Sequence, residues 1–155
     1  NFIEISGSFS CRGRAGYLPQ ELPKDECEKS AYDFFCASPV FFDQPPKALG
    51  QLAARLALSA DVFYSPQRMA DFSGGERVKL QLARLLMAAP EALLLDEPTR
   101  NLSPLSGPVV RNLFADYPGC IIAVSHDRRF VEAVCTRAVR LEREGSARST
   151  ISDTL

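Results

Sequence analysis

Residues 92–99, Ala-Leu-Leu-Leu-Asp-Glu-Pro-Thr, are the stretch of sequence that decides the fold. Four consecutive apolar residues are typical of a strand that is buried on both faces of a parallel sheet. Asp96 and Glu97 follow this strand directly, and open α/β sheets place their sites at this end of their strands. The first carboxylate can hold Mg²⁺, and the second can orient or deprotonate a water molecule. An alternative of equal weight is that both acids belong to an ordinary loop after a core strand.

The sequence on either side of this strand alternates between helices and strands. Upstream, a helix begins at Ser73 and ends before Pro90, and its apolar face includes Val78, Leu82, Leu85 and Leu86. Downstream, the pattern predicts a helix over 107–114, a strand over 120–125, a helix over 129–134 and a strand over 138–141. Strands that alternate with helices predict an α/β fold with a parallel sheet.

Residues 21–70 differ in character and predict a small helical subdomain. Helices are expected over 24–35, after Pro23, and over 47–58, with a Pro-containing loop over 38–46 between them. Before this subdomain, the patterns over 2–5 and 14–18 predict two short strands. We therefore expect one partial domain, in which residues 1–20 and 71–155 form the α/β core and residues 21–70 form the helical subdomain.

The composition restricts the class of protein. The chain has 155 residues, of which 46% are apolar, and a formal net charge of −1, which gives no attraction to nucleic acid or anionic membranes. No stretch approaches the ~20 apolar residues of a membrane span and no signal peptide is found, so we predict a cytoplasmic protein. Five cysteines without a Cys-x-x-Cys pair favour reduced thiols over disulfides or a zinc site. The first residue is not Met, which predicts a piece of a longer protein.

Three further polar groups have both a structural and a functional interpretation. Ser73-Gly-Gly-Glu76 fits a capping box, in which serine and glutamate satisfy each other's backbone N–H groups. The same residues place two glycines at a helix N-terminus, where a phosphate can approach bare N–H groups. His126 is the only histidine and ends the strand predicted over 120–125, which favours a phosphate contact, although a lone histidine is more often structural. Gln20 by itself would be an ordinary loop glutamine.

The order and spacing of these groups resemble the ATP-binding-cassette (ABC) ATPase family over nearly the whole chain. The motifs are Gln20, Phe72-Ser-Gly-Gly-Glu76, Leu93-Leu-Leu-Asp-Glu-Pro-Thr99 and Val124-Ser-His-Asp-Arg128. The resemblance implies a P-loop NTPase-like parallel sheet, with ATP and Mg²⁺ as ligands of the intact protein. It also implies that ATP lies between two such domains, so the implied partner is a second ABC ATPase domain, in tandem or in a dimer.

The resemblance gives each motif a role. Gln20 would be the Q-loop glutamine, near Mg²⁺ and the attacking water, and Asp96 would be the Walker B aspartate that binds Mg²⁺. Glu97 would be the general base, and His126 would be the switch histidine that contacts the γ-phosphate. The signature residues, which would contact ATP held by the partner domain, are Ser73, Gly74, Gly75 and Glu76.

Three motifs, Gly16-Tyr-Leu-Pro-Gln20, Ser73-Gly-Gly-Glu76 and Ser125-His-Asp-Arg128, are most similar to the ABC-F branch of the family. Members of this branch are soluble tandem ATPases that act on ribosomes, in translation or in antibiotic resistance, and residues 99–106 resemble the resistance type. We therefore expect an ATPase that acts on the ribosome. The alternatives are the ATP-binding subunit of an ABC membrane transporter, which shares the motifs, and a binding module with degenerate sites, against which the intact catalytic motifs argue.

The sequence departs from the family pattern in three places. Phe72 replaces a usual leucine, and Arg100-Asn-Leu-Ser103 stands where the family usually has Asn-His-Leu-Asp. Ser103 thus replaces an aspartate that the family uses in communication between domains. No Gly-x₄-Gly-Lys-Ser/Thr occurs, so the Walker A strand, loop and helix are lacking, and we expect them upstream of Asn1. We predict that the chain alone is inactive and does not bind ATP measurably. We also predict that exposed apolar faces of the strands over 93–95 and 121–124 make it weakly stable or self-associating.

Overall fold

The centre of the fold is a three-stranded parallel sheet. The computed structural model describes residues 13–144 and 148–153. Its sheet contains, in spatial order, β1 (Ala15–Leu18), β2 (Ala92–Asp96) and β3 (Cys120–Val124). The decisive stretch of sequence thus forms the middle strand, which pairs with both neighbours. This arrangement confirms the predicted α/β fold with a parallel sheet.

Helices and a hairpin make up most of the other regular structure in the described residues. The α-helices are α1 (Lys24–Cys27), α2 (Ala31–Cys36), α3 (Pro46–Arg55), α4 (Gly74–Met87), α5 (Ser106–Ala115) and α6 (Arg128–Val134). Two 3₁₀ helices, Ala60–Tyr64 and Met69–Asp71, lie between α3 and α4, and a hairpin of β4 (Val139–Glu144) and β5 (Arg148–Asp153) follows α6. None of these helices is long and apolar enough to cross a membrane. The strand predicted over 2–5 lies outside the described residues.

The single helix predicted over 24–35 is wrong, because the chain is interrupted at Ser30. The Ser30 backbone is extended, and its hydroxyl accepts a hydrogen bond from the Asp33 backbone N–H at 3.0 Å. Ser30 also forms an isolated β-bridge with Arg68. A serine in N-capping geometry therefore starts a new helix and divides the predicted one into α1 and α2.

The last predicted strand, over 138–141, is present as β4 but does not join the parallel sheet. It pairs antiparallel with β5, from Val139 opposite Asp153 to Glu144 opposite Arg148. The first four residues of β4, Val-Arg-Leu-Glu, alternate apolar and charged residues, as is usual in an antiparallel strand. The expectation that this strand closes the alternating parallel pattern is therefore wrong, and the sequence prediction misses β5.

One face of the parallel sheet packs against α4. Leu18, Leu93 and Leu95 are buried on this face, because they occupy alternate positions of β1 and β2. Gly16 allows α4 to approach closely, since a Cβ on this residue would lie 2.4 Å from Leu85 Cδ1. The apolar face predicted for α4 is therefore part of the core.

The opposite face of the sheet is exposed along β3, which is an edge strand among the described residues. Tyr17, Leu94 and Ile122 lie side by side across the three strands, and both Tyr17 and Ile122 are exposed. Val124 is exposed on the same face as Ile122. The predicted exposure of apolar strand faces is therefore found in β3, whereas alternate leucines of β2 are buried.

Candidate functional site

A cleft of about 510 Å³ lies at the carboxyl ends of the three parallel strands. Its lining residues are Gln20, Glu97, Thr99, Arg100, His126 and Asp127. Gln20 comes from the loop after β1, Glu97 follows β2, and His126 follows β3. Because parallel strands end at the same edge of a sheet, three residues far apart in sequence meet in one cleft. Asp96 is the last residue of β2 and directly precedes Glu97.

Glu97 is held in an unusual backbone conformation. Its φ is 49°, in the left-handed region that non-glycine residues rarely adopt; Ala57 and Ala89, outside the cleft, share this conformation. The Glu97 N–H donates to the Val124 carbonyl at 2.8 Å, and the Glu97 carbonyl accepts from the Arg100 N–H at 3.1 Å. Its side chain is only 12% exposed. These contacts fix the carboxylate at the wall of the cleft.

The carboxylate of Glu97 lies beside His126. Glu97 Oε1 is 3.5 Å from His126 Nε2, and Glu97 Oε2 accepts a long hydrogen bond from the His126 backbone N–H at 3.4 Å. The His126 side chain is 97% exposed, so its ring can reach a ligand in the cleft. The two side chains form an ion pair only when the imidazole is protonated. A proton acceptor and a hydrogen-bonding ring thus stand next to each other.

Asp127 fixes the backbone just after His126. Its Oδ1 accepts hydrogen bonds from the N–H groups of Arg129 and Phe130, at 3.0 and 3.3 Å, which caps α6. Its Oδ2 lies 3.7 Å from Arg111 Nη1 of α5. Sequence reasoning gave Asp127 no such role, although an aspartate before a helix is a known start signal. No local signal indicates that Arg111 is its partner.

The predicted capping box is present at the start of α4. Ser73 Oγ accepts from the Glu76 N–H at 3.3 Å, and the Glu76 carboxylate accepts from the Ser73 hydroxyl at 2.6 Å and N–H at 2.9 Å. These bonds, chiefly the one from the hydroxyl, hold the pKa of Glu76 below its usual value. The Ser73 hydroxyl is therefore already engaged.

Gly74 and Gly75 pack against Asn101 rather than against the cleft. A Cβ on Gly74 would lie 3.3 Å from Asn101 Cβ, and a Cβ on Gly75 would lie 3.2 Å from the Asn101 carbonyl oxygen. Close approach of the chain is thus one reason for glycine at both positions. None of the residues over 73–76 lines the cleft. The predicted site residues consequently fall into two groups, at the strand ends and at the N-terminus of α4.

The donor atoms near the cleft suit Mg²⁺ bound together with phosphate. Asp96, Glu97 and Gln20 offer oxygen ligands, which Mg²⁺ prefers. No group of three His, Cys, Asp or Glu side chains in the described residues is arranged to hold a metal ion. Magnesium usually keeps several waters and binds through one or two carboxylates plus substrate phosphates, so a protein-only cage is not required.

The family model of the ABC transporter matches residues 5–100 of the chain. This protein therefore belongs to the ABC family, whose nucleotide-binding domains are ATPases that bind ATP, typically with Mg²⁺. Its relatives include members of sub-family F, consistent with an ABC-F type of domain.

Three curated relatives show the similarity to ABC proteins in sequence. YdiF of Bacillus subtilis (strain 168) is 37% identical over 134 residues, which cover 86% of this chain and 20% of that protein. Human ATP-binding cassette sub-family F member 3 is 38% identical over 99 residues, which cover 64% of this chain and 14% of that protein. The energy-dependent translational throttle protein EttA of Escherichia coli (strain K12) is 39% identical over 79 residues, which cover 51% of this chain and 14% of that protein. This chain thus spans a fifth or less of the length of these relatives.

A solved structure supports the fold alone. The archaeal ribosome recycling factor aABCE1, in complex with the archaeal ribosomal stalk protein aP1, superposes with a TM-score of 0.67. The two chains are 22% identical, and the match covers 90% of this chain and 27% of that chain.

Proposed function

We propose that this chain carries the hydrolytic part of a nucleotide-binding domain in an ABC-F type ATPase that acts on the ribosome. The observation that supports this proposal is the convergence of Gln20, Glu97 and His126 in one cleft, each delivered by a different parallel strand. An arrangement of one shielded carboxylate, one amide and one exposed imidazole suits the positioning of water and phosphate.

In this proposal Glu97 is the general base. Its carboxylate accepts a proton from a water molecule, the water oxygen bonds to the γ-phosphorus of ATP, and the bond between that phosphorus and the ADP oxygen breaks. His126 donates a hydrogen bond to the γ-phosphate from its exposed ring. Asp96 would hold Mg²⁺, which neutralises charge on the phosphates, and Gln20 would orient the water and complete the metal's surroundings.

The N-terminus of α4 serves a second nucleotide. Its N–H groups and the positive end of the helix dipole are suited to a phosphate, and Ser73, Gly74, Gly75 and Glu76 stand at this end. Because these residues lie outside the cleft, we propose that they contact ATP held by a second ABC ATPase domain. The tight Ser73–Glu76 pairing means that the glycine N–H groups, rather than the serine hydroxyl, are free to make this contact.

The exposed face of β3 is consistent with a nucleotide-binding domain of which this chain is one part. The sequence holds no glycine-rich phosphate loop, and β3 presents Ile122 and Val124 without a covering element in the described residues. We propose that a further element of the intact domain covers this face and supplies the loop that holds ATP. For the chain by itself we expect no measurable ATP binding, and micromolar affinity in a calorimetric titration with MgATP would contradict this expectation.

The hydrolytic proposal is tested with the protein encoded by the complete gene. Replacement of the proposed base, Glu97→Gln, is expected to lower the rate of phosphate release by about 100-fold or more, while MgATP binding is retained. The matched control is Glu132→Gln, an identical change on the exposed surface of α6, which should leave the rate unchanged. Equal rates for the Glu97→Gln variant and the native protein would refute the role of Glu97.

The ribosome is proposed because relatives and structural neighbours include a translational throttle protein and a ribosome recycling factor. The second candidate is the ATP-binding subunit of a membrane transporter, because the matched family model is that of ABC transporters. Sedimentation of cell extracts with and without ATP separates the two. The native protein and the Glu97→Gln variant should sediment with ribosomes, the variant more so with ATP, and recovery only with membranes would favour the transporter.

A further inference from the structure

Three exposed aromatic side chains form a patch on the helical subdomain. Tyr32, Phe42 and Tyr64 are 41%, 69% and 57% exposed, respectively. All three surround the buried ring of Phe41, with centroid distances of 6.5, 5.4 and 6.1 Å. We call these three side chains the aromatic patch. Large exposed rings that gather around one buried ring indicate a surface for recognition.

The aromatic patch rests on a rigid base. Phe41 is buried and stacks on Phe35 of α2 at a centroid distance of 5.8 Å, and Phe35 meets Phe63 edge-on at 4.8 Å. The Tyr32 backbone N–H donates to the Ser65 carbonyl at 3.0 Å, which ties α2 to the segment after the 3₁₀ helix. The patch is therefore held in place by the core beneath it, so a partner would meet a preformed surface.

The charged residues next to Tyr32 and Phe42 in sequence are negative. Asp33 and Asp43 directly follow Tyr32 and Phe42 in sequence, and both are exposed. No lysine or arginine occurs over 31–46. A hydrogen bond with the side chain of Cys36 raises the pKa of Tyr32, and the nearby charge of Asp33 raises it further. Tyr32 and Phe42 thus combine electron-rich ring faces with neighbouring carboxylates, in a segment without lysine or arginine.

We propose that the aromatic patch binds a segment of a partner protein that carries arginine or lysine. A cation held over an aromatic face is attracted by the ring quadrupole, and neighbouring carboxylates add to this attraction. The chain uses the same chemistry in its interior, where the Arg84 guanidinium lies 3.6 Å from the centroid of Phe34. This interaction surface is separate from the cleft and does not depend on the proposed hydrolytic role.

A nucleic acid is the less suitable occupant of the aromatic patch. Bases stack well on exposed aromatic rings, but such sites normally combine the rings with a basic groove that follows the phosphates. Here the phosphates would meet Asp33 and Asp43 instead. The charge therefore favours a basic polypeptide over RNA or single-stranded DNA.

The test uses the full 155-residue chain and two synthetic probes. The first probe is the peptide acetyl-Gly-Arg-Gly-Arg-Gly-amide, and the second is the same peptide with both arginines replaced by neutral citrulline. Binding is followed from the aromatic carbon–proton NMR signals of Tyr32 and Tyr64. We expect the arginine peptide to shift these signals and the citrulline peptide to do so at least about fivefold more weakly. High salt should weaken arginine binding, because the carboxylates are exposed.

Two variants and one control localise the interaction. Phe42→Ser and Asp43→Asn should each weaken binding of the arginine peptide by about two- to fivefold. The control is Tyr17→Ser, which removes another exposed aromatic ring, from β1, and should leave the affinity unchanged. Three outcomes would overturn the proposal: unchanged affinity in both patch variants, equal binding of the citrulline peptide, or tighter binding of an oligo(U) probe than of the arginine peptide.

Discussion

The substitution Gly119→Ala tests the packing that places β3 beside β2. A Cβ on Gly119 would lie 2.5 Å from the carbonyl oxygen of Glu91 and 2.6 Å from Cε1 of Tyr117. Favourable non-bonded contacts of carbon lie at about 3.5 Å or more, so both groups, or the backbone of residue 119 itself, must move by about 1 Å. The nearer obstacle is a backbone atom, which has less freedom to move than the end of a side chain.

The cost follows from what holds the Glu91 peptide in place. The Glu91 carbonyl accepts from the Cys120 N–H at 3.0 Å, and the Glu91 N–H donates to the Arg14 carbonyl at 2.9 Å. Overpacking of this kind costs about 1–3 kcal/mol, and weakening one backbone hydrogen bond adds about 1 kcal/mol. We therefore expect Gly119→Ala to lower the free energy of unfolding by about 2–4 kcal/mol.

The matched control is the same chemical change at Gly50. This glycine lies inside α3, and no atom lies within 4 Å of the position that its Cβ would take. Alanine restricts the unfolded chain and favours the helix, so Gly50→Ala should raise the free energy of unfolding by about 0.5–1 kcal/mol. Two Gly→Ala substitutions are thus expected to change stability in opposite directions.

Urea unfolding followed by far-ultraviolet circular dichroism measures both effects. The urea concentration at the midpoint should fall for Gly119→Ala and rise for Gly50→Ala, while the dependence of the free energy of unfolding on urea stays the same. In thermal unfolding, each kcal/mol should move Tm by about 2–4 °C. A Gly119→Ala variant as stable as the native chain would refute the close approach of Gly119 to Glu91.

Two further predictions concern α4. Arg84 forms a two-pronged ion pair with Glu26, at 2.7 and 2.9 Å, and stacks on Phe34. Measured by urea unfolding, Arg84→Leu should lower the free energy of unfolding by about 1–3 kcal/mol and Arg84→Lys by about 1 kcal/mol. Lysine keeps the charge but loses the paired hydrogen bonds and the stacking. Equal losses in the two variants would contradict this. Ser73→Ala should cost about 1 kcal/mol at pH 7, since it removes the N-cap. The hydrogen bonds from Ser73 depress the pKa of Glu76 in the folded state. The stability that they contribute is therefore complete above the unfolded-state pKa of Glu76 and is lost as the pH falls through its folded-state pKa. The Ser73→Ala cost should therefore shrink in acid, and a cost independent of pH would exclude this coupling.

Local sequence patterns predict the elements that surround the cleft. The run over 92–95 is too apolar for a surface strand, which predicts the buried middle strand. The residues after it are carboxylates, which predicts that the site lies at the carboxyl edge of the sheet. The capping box is equally local, because its two partners are three residues apart. Predictions of this kind succeed since the physical cause lies within one turn or one strand.

The features that the sequence prediction misses depend on distant partners. The N-cap at Ser30 is a local signal, but the β-bridge that joins Ser30 to Arg68 spans 38 residues in the numbering. The left-handed backbone of Glu97 is held by Val124, and Asp127 is paired with Arg111 of another helix. No periodicity over a short window contains these pairs. They form only when the folded chain brings distant segments together.

The segment after Thr99 connects the two groups of site residues. Thr99 and Arg100 line the cleft, whereas Asn101 packs on the glycines at the N-terminus of α4. Two residues further on, Ser103 Oγ accepts from the Ser106 N–H at 3.2 Å and so helps to start α5. An aspartate at position 103 would accept the same hydrogen bond but would add a negative charge. Serine at this position therefore keeps the local structure of the helix start and removes only the charge. If the proposed second domain also meets this segment, that contact is neutral at Ser103. The packing that joins the cleft to the α4 glycines runs through Asn101 and does not use the side chain at position 103.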